Sequence, residues 1–263
     1  MPAPDLALLE RAALAAGEIA LRFWRRDPQA WDKPDGAGPV TEADLAVNAH
    51  LEVLLRGARP DYGWLSEESA DSPQRLTAEH CFIVDPIDGT RAFIDGQQGF
   101  SVSLAVAQRG RVTAGVVHLP ALGVTYMAQA DGPALRNGQP IAAVPHDFQD
   151  AEVLTGKPSL DPKHWRGVEP PLRRVFRPSL AWRFCLVADG QFHATLSTRP
   201  AWEWDVAAGS LIATRAGCVV SDLAGQPMRF NSPRALTEGL VVAAPPLHGA
   251  LLAAMTPFTA SGG

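Results

Sequence analysis

Near the N-terminus apolar residues recur at steps of three and four: Leu6, Leu9, Ala13, Ala16, Ala20 and Phe23 share one stripe. The spacing predicts an amphipathic helix over residues 5–26, stopped at Asp27-Pro28. A Gly/Pro-rich stretch, Lys33 to Pro39, reads as turns. A second helix is predicted from Thr41, with Val47, Leu51, Leu54 and Leu55 on its buried face, and Thr41-x-x-Asp44 has the form of a capping box that puts Asp44 in the first turn. Cys81-Phe82-Ile83-Val84 is short and partly β-branched, which predicts a buried strand. The period then becomes two. Phe100, Val102, Leu104 and Val106, then Val112 to His118, then Val124 to Ala128 predict three strands of an antiparallel meander, with turns at Asp131-Gly132 and Asn137-Gly138.

Beyond about residue 140 the pattern changes, and Asp147 to Pro178 is polar, Pro-rich and weakly periodic. This predicts an N-terminal α+β part over 1–140 and a C-terminal α/β part over 141–263. In the second part Phe184 to Ala188 and Gln191 to Leu196 are expected as strands. Val206 to Ala216 is expected as a helix closed by Gly217 with Asp205 at its start, and Val219-Val220 and Leu240 to Ala243 as short strands. A meander combined with alternating strands and helices predicts a layered α+β (mixed α/β) fold and not an all-β sandwich.

Composition narrows the function. The chain has 263 residues, 46% hydrophobic and 19% charged, which is ordinary for a soluble globular protein with a sizeable core. Its net charge of −5 argues against a nucleic-acid polymer as partner, because phosphate backbones need a surplus of Lys and Arg. The N-terminal region carries Asp5 and Glu10 with no basic segment ahead of its apolar residues, so no signal peptide is expected. The apolar stretch from Gly239 to Phe258 is interrupted by Pro245-Pro246 and His248, so no membrane span is expected either. Cys81, Cys185 and Cys218 are odd in number and far apart, which suits a reducing cytoplasm better than a disulfide framework. The seven histidines form no H-E-x-x-H and no close pair, so a zinc site is not expected.

The candidate chemistry begins where the strand at residues 81–84 stops, at Asp85-Pro86-Ile87-Asp88-Gly89-Thr90. Pro86 lacks an N–H and is expected to turn the chain out of the ladder. Two carboxylates three residues apart could then converge, while Gly89 lets a ligand approach the backbone. Left unpaired and buried they would repel and one would protonate, whereas a hard divalent cation removes the conflict. A helix start with Asp88 as N-cap explains the hexapeptide equally well. Three further acids have the same character: Asp44 at a helix start, Glu67 in Ser66-Glu67-Glu68-Ser69, and Asp205 in Trp202-Glu203-Trp204-Asp205-Val206-Ala207-Ala208-Gly209.

Taken in order, Pro39-Val40-Thr41-Glu42-Ala43-Asp44, Ser66-Glu67-Glu68-Ser69, Asp85-Pro86-Ile87-Asp88-Gly89-Thr90 and Trp204-Asp205-Val206-Ala207-Ala208-Gly209 resemble the inositol monophosphatase superfamily of metal-dependent phosphomonoesterases. The likeness runs from about Lys33 to Gly225. It implies a layered α-β-α-β-α sandwich with an antiparallel meander sheet and a second mixed sheet. It also implies two or three Mg²⁺ ions held by Glu67, Asp85, the Ile87 carbonyl, Asp88 and Asp205. Gly89 and Thr90 would meet the phosphate, Asp44 would pair with the Thr90 hydroxyl, and Lys33 would lie on a loop near the site. Glu67, Asp44 and Thr90 are thereby the residues expected to serve the chemistry, an in-line attack of a metal-activated water on a small phosphomonoester. Sensitivity to Li⁺ and a homodimer are implied too. The formal charge of the five acids, −5, falls to −1 with two Mg²⁺, so the phosphate can approach.

A haloacid-dehalogenase phosphatase also ends a strand in Asp-Gly-Thr, but it needs an aspartate two residues before the second acid, where this chain has Pro86. A non-catalytic metal binder on the same scaffold is the rival from another class. As to substrate, the acid that holds sugar hydroxyls in inositol monophosphatases is Thr198 here, and the small residues of that pocket are replaced by Pro178-Ser179-Leu180-Ala181. Arg183-Phe184-Cys185-Leu186-Val187-Ala188 and Glu203-Trp204-Asp205 instead resemble 3′(2′),5′-bisphosphate nucleotidases, with Arg183, Thr198 and Glu203 as substrate-binding residues. Adenosine 3′,5′-bisphosphate is therefore the preferred expectation, ahead of inositol monophosphate and of histidinol or sugar phosphates.

Overall fold

The computed structural model describes residues 4–33, 38–166 and 170–256; the centre of the Gly/Pro-rich stretch between Lys33 and Pro39 lies outside them. Two helices, α1 (Asp5–Phe23) and α2 (Glu42–Ala58), bracket a pair of short antiparallel strands, β1 (Ala30–Asp32) and β2 (Pro39–Thr41). There follow β3 (Gly63–Ser66), β4 (His80–Asp88), the one-turn α3 (Thr90–Ile94), β5 (Ser101–Gln108), β6 (Arg111–Leu119), β7 (Val124–Gln129), β8 (Leu135–Arg136) and β9 (Gln139–Pro140). The seven strands β3 to β9 form one sheet in chain order, with β3 parallel to β4 and the remaining neighbours antiparallel. The second half contributes β10 (Glu152–Leu154), β11 (Arg173–Val175), α4 (Leu180–Ala188), β12 (Ala194–Ser197), β13 (Ala201–Trp202), α5 (Glu203–Arg215), β14 (Val219–Ser221), β15 (Leu236–Thr237), β16 (Leu240–Ala243) and α6 (Pro245–Ala254). Its five-stranded mixed sheet has the order β11-β10-β12-β16-β14, while β13 pairs separately with β15.

Strand alternation explains the layering. Along β4, Phe82 and Val84 join the core that includes Leu9, Ala13 and Ala16 of α1 and Val47 and Leu51 of α2. Cys81 and Ile83 point the other way, into a core with Phe184 and Leu186 of α4 and Ala208 and Ile212 of α5. The same alternation in the second sheet sends Leu154, Leu240 and Val242 toward α4 and α5, and Val153, Val241 and Ala243 toward Leu247 and Leu251 of α6. The result is a five-layer α-β-α-β-α stack in which each sheet is covered on both faces, as sheets with near-continuous apolar strands require. The central helix layer is tight. A Cβ on Gly209 of α5 would lie 2.7 Å from Cβ of Phe184, and one on Gly115 of β6 would lie 3.0 Å from Cα of Ala208.

Four sequence expectations are corrected. Phe184 to Ala188 is the second half of helix α4 and not a strand. All five of those residues are buried, so the run lacks the polar stripe that marks an amphipathic helix. Helix α1 ends at Phe23, three residues before the predicted stop. Helix α5 starts at Glu203, so Asp205 is its third residue and not its cap. Finally, the chain does not turn away at Pro86: β4 runs on to Asp88, with Asp85 opposite Ser103 and Asp88 opposite Ser101. Three steps on one strand match two on the other, a bulge, and Pro86 sits within it where no ladder N–H is needed.

Candidate active site

The bulge gives β4 two inward carboxylates at its end. Gly89 then bends the chain at φ 98°, a conformation that disfavours any side chain, and Thr90 opens α3. Glu67 follows β3 and continues its pairing through its own N–H, which donates to the Val84 carbonyl at 3.2 Å. Asp205 comes from the first turn of α5. Strand β4, the end of β3 and the start of α5 thus deliver Asp85, Glu67 and Asp205 to one place, where one carboxylate oxygen from each lies within 4.8 Å of the others.

Three acids so close and so little hydrated disfavour full ionisation. Burial, and then repulsion from Glu67, Asp88 and Asp205, pushes the Asp85 carboxyl far above its ordinary range. Asp205 is raised in the same way by burial and by Asp88 and Glu67, against opposing hydrogen bonds with the Asp85 carboxyl and from the Trp202 N–H. Oxygen donors crowded at this spacing suit a hard divalent cation. The residues therefore fit a metal site.

Asp88 stands at the edge of this trio and is otherwise engaged. Its Oδ2 accepts from the Ser179 hydroxyl at 2.6 Å and from the Ala181 N–H at 2.7 Å, which ties it to the N-terminal turn of α4. Burial raises its carboxyl to about 6 against those bonds. Asp44 is 1% exposed and makes the predicted capping box: Oδ2 accepts from the Thr41 N–H at 2.8 Å, and the Thr41 hydroxyl accepts from the N–H groups of Ala43 and Asp44. The other oxygen, Oδ1, lies 3.3 Å from the Thr90 hydroxyl, which is also 3.1 Å from the Ile87 carbonyl. Lys33 donates to Glu67 at 2.7 Å and to Glu68 at 2.6 Å.

Glu67, Gly89 and Thr90 line a cavity of about 350 Å³ together with Pro39, Phe176 and Pro178. Arg183 is near this cleft: burial lowers the pKa of its guanidinium from the ordinary value, while the charges of Asp88 and Asp205 oppose that shift. Its Nε donates to the Arg177 carbonyl at 2.6 Å and its guanidinium stacks 4.7 Å from the Phe176 ring. Thr198, on the loop after β12, is held by Ser159, whose hydroxyl accepts from its N–H at 3.2 Å. Glu203 is a correction. Its two oxygens accept from the N–H groups of Asn231 and Ser232 at 2.5 and 2.9 Å, and it is fully buried, so it braces a loop and shows no surface to a substrate. Sequence reading missed Ser179 as a partner of Asp88 and Phe176 as a wall of the cleft; neither carries a local signature. It also missed Asn48 and Ser69, which, with Ser66 and Trp64, hydrogen-bond the loop that carries Glu67.

The profile of the inositol monophosphatase family matches residues 2–258. A 3′(2′),5′-bisphosphate nucleotidase from Aggregatibacter actinomycetemcomitans is 31% identical, over 83% of this chain and 84% of its own length. A histidinol-phosphatase from Chlorobaculum parvum is also 31% identical, over 96% of each chain. Among solved structures, an IMPase of Thermotoga maritima superposes with a TM-score of 0.81 at 25% identity, covering 95% of this chain and 94% of that one.

Proposed function

The chain belongs to the inositol monophosphatase family, and from that premise we propose that it is a Mg²⁺-dependent phosphatase whose preferred substrate is adenosine 3′,5′-bisphosphate. That it is a phosphoric monoester hydrolase acting on small phosphorylated molecules follows from the family and from the phosphatases it is similar to. The observation that carries the metal reading is the convergence of Glu67, Asp85 and Asp205 from three separate elements, with Glu67 and Thr90 lining one cavity. In this reading those three acids, Asp88 and the Ile87 carbonyl hold two or three Mg²⁺ ions. Bound there, the ions supply charge neutralisation for the phosphate and a water acidic enough to serve as nucleophile at neutral pH.

The remaining roles belong to the chain itself. Gly89 and Thr90 offer the phosphate a close backbone approach and a hydroxyl, and Asp44, anchored by Thr41, orients that hydroxyl through its free oxygen. Lys33 neutralises Glu67 and Glu68 from the loop side. Arg183, drawn toward the cleft by Asp88 and Asp205, grips the second phosphate of the substrate, and Thr198, lacking a carboxylate, leaves no acid for ring hydroxyls. Competition by Li⁺ for a Mg²⁺ position and a homodimer belong to the same proposal. So does a reducing cytoplasm, supported by three buried free thiols, Cys81, Cys185 and Cys218; no described helix is long and apolar enough to cross a membrane.

The test is kcat/KM with Mg²⁺ on adenosine 3′,5′-bisphosphate and on inositol 1-phosphate, side by side. Preference for the nucleotide is expected. Preference for inositol 1-phosphate by about tenfold, ~1.4 kcal/mol in the transition state, overturns the substrate assignment. Phosphate release that persists in full in Asp88→Asn overturns the role given to Asp88.

A further inference from the structure

The loop between β11 and α4 presents Phe176 to the cleft. This ring is 52% exposed, and it is the one exposed large apolar side chain among the described residues that lines the cavity shared by Glu67, Gly89 and Thr90. Single exposed apolar residues scattered over a surface need no explanation. One standing in the wall of a phosphate cleft does, because it wets an apolar ring beside the most polar part of the molecule.

Its backing is also unusual. The Arg183 guanidinium lies over the ring at 4.7 Å, and it is fixed there by the bond from Nε to the Arg177 carbonyl at 2.6 Å. Arg177 in turn lies over the rings of Trp182 and Phe192, at 5.8 and 5.4 Å. With a fixed cation covering part of the ring, its exposed remainder faces the cavity. An aromatic face held by a fixed cation and open to a cleft is suited to a planar π-system, and a nucleobase is the planar group that phosphomonoesters commonly carry.

We infer that Phe176, backed by Arg183, is the shelf on which the base of the substrate stacks, and so is a specificity-determining residue that separates nucleotides from phosphorylated polyols. This rests on the nucleotide reading above and deepens it. The Arg183 guanidinium then has two uses: it backs the shelf, and the N–H groups not donated to the Arg177 and Pro178 carbonyls are left for phosphate oxygens.

The test measures the contribution of the base alone. Adenosine 3′,5′-bisphosphate and the abasic sugar bisphosphate that lacks adenine are each titrated as inhibitors of 4-nitrophenyl phosphate hydrolysis, in the wild type, Phe176→Ala and Phe176→Trp. The wild type should bind the adenine compound at least about fivefold tighter than the abasic one. Phe176→Ala should bring that ratio to within about twofold, and Phe176→Trp should keep or enlarge it. Since the ring is half exposed, both variants should melt with the wild type. A ratio near one in the wild type, or an unchanged ratio in Phe176→Ala, overturns the shelf. Equal weakening of both compounds also overturns it, since that would mean that Phe176 acts only by placing Arg183 on phosphate. A wild type that prefers inositol 1-phosphate as substrate defeats the nucleotide proposal, yet leaves the inhibitor ratio readable.

Discussion

Mg²⁺ should stabilise this protein more at pH 7.5 than at pH 5, because the apoprotein has to strip charge from its buried acids. Asp44 shows the size of the effect. Burial lifts its carboxyl from 3.8 to about 6, against the opposing bonds from Thr41. An acid whose folded pKa lies above its unfolded one keeps its proton in the native state over a window where the unfolded chain has released it. The native state then binds more protons, and the free energy of unfolding falls as pH rises from about 4 through about 6. A gap of roughly 2 pKa units at 1.36 kcal/mol each is ~3 kcal/mol for Asp44 alone. Asp85 and Asp205 are shifted in the same direction by burial and by their acidic neighbours. Buried His118 and His248 and partly buried His193 have lowered pKa values and act in the opposite sense, with stability lost as pH falls through their range, but they do so with or without metal. The difference between melts in excess Mg²⁺ and in chelator therefore isolates the acids. At a hundredfold excess over Kd the cation adds ~2.7 kcal/mol, about 5 °C for a chain of this size. Circular-dichroism melts at pH 5, 6 and 7.5 should show a Mg²⁺ increment in Tm that grows with pH, and Asp44→Asn should flatten the slope of the chelated protein. An increment that is constant, or largest at pH 5, would refute the reasoning.

Two further outcomes are expected. Glu203→Ala leaves the N–H groups of Asn231 and Ser232 without their carboxylate, at a cost of about 2–4 kcal/mol, so Tm should drop by several degrees while the ratio of kcat/KM on nucleotide and inositol phosphate stays within about twofold. A changed ratio at unchanged Tm would return Glu203 to the substrate. Lys33 donates to Glu67, an acid of the proposed metal site, so Lys33→Met should lower the Mg²⁺ concentration for half-maximal activity several-fold; a rise in that concentration would show instead that Lys33 helps to assemble the site.

The parts of this fold and site that were legible in sequence are those whose physics is local. The capping box at Thr41 and Asp44 is written in a three-residue spacing, and the structure makes both of its bonds. The meander was legible because β5, β6 and β7 are joined by short turns, and the hairpin of β8 and β9 because Asn137 and Gly138, at φ 48° and 76°, are residues that tolerate that geometry. The bulge at Pro86 was not legible, because a proline at a strand end and one inside a bulge both leave an N–H unmade. Glu203 misled for a similar reason: a helix turns about 100° per residue, so Glu203, two positions before Asp205 in α5, points about 200° away from it, and nearness in sequence says nothing about facing the same cleft.

The strand expected at Phe184 to Ala188 had the largest consequence. Helix α4 is capped by Ser179, whose hydroxyl accepts from the Trp182 N–H at 2.9 Å and donates to Asp88 at 2.6 Å, across 91 residues of chain. One hydroxyl therefore both starts the helix and holds an acid of the candidate site, and the Ala181 N–H of the same turn joins it. Reading the segment as a strand removes the cap, and without the cap nothing connects Ser179 to Asp88. Phe176 and Arg183 are hidden by the same step, because only the helical turn from Ser179 to Arg183 brings that guanidinium back over a ring seven positions earlier. The buried second half of this helix carries no polar stripe to reveal it, so the residues the helix positions around the cleft become visible only once the layers on both of its faces are in place.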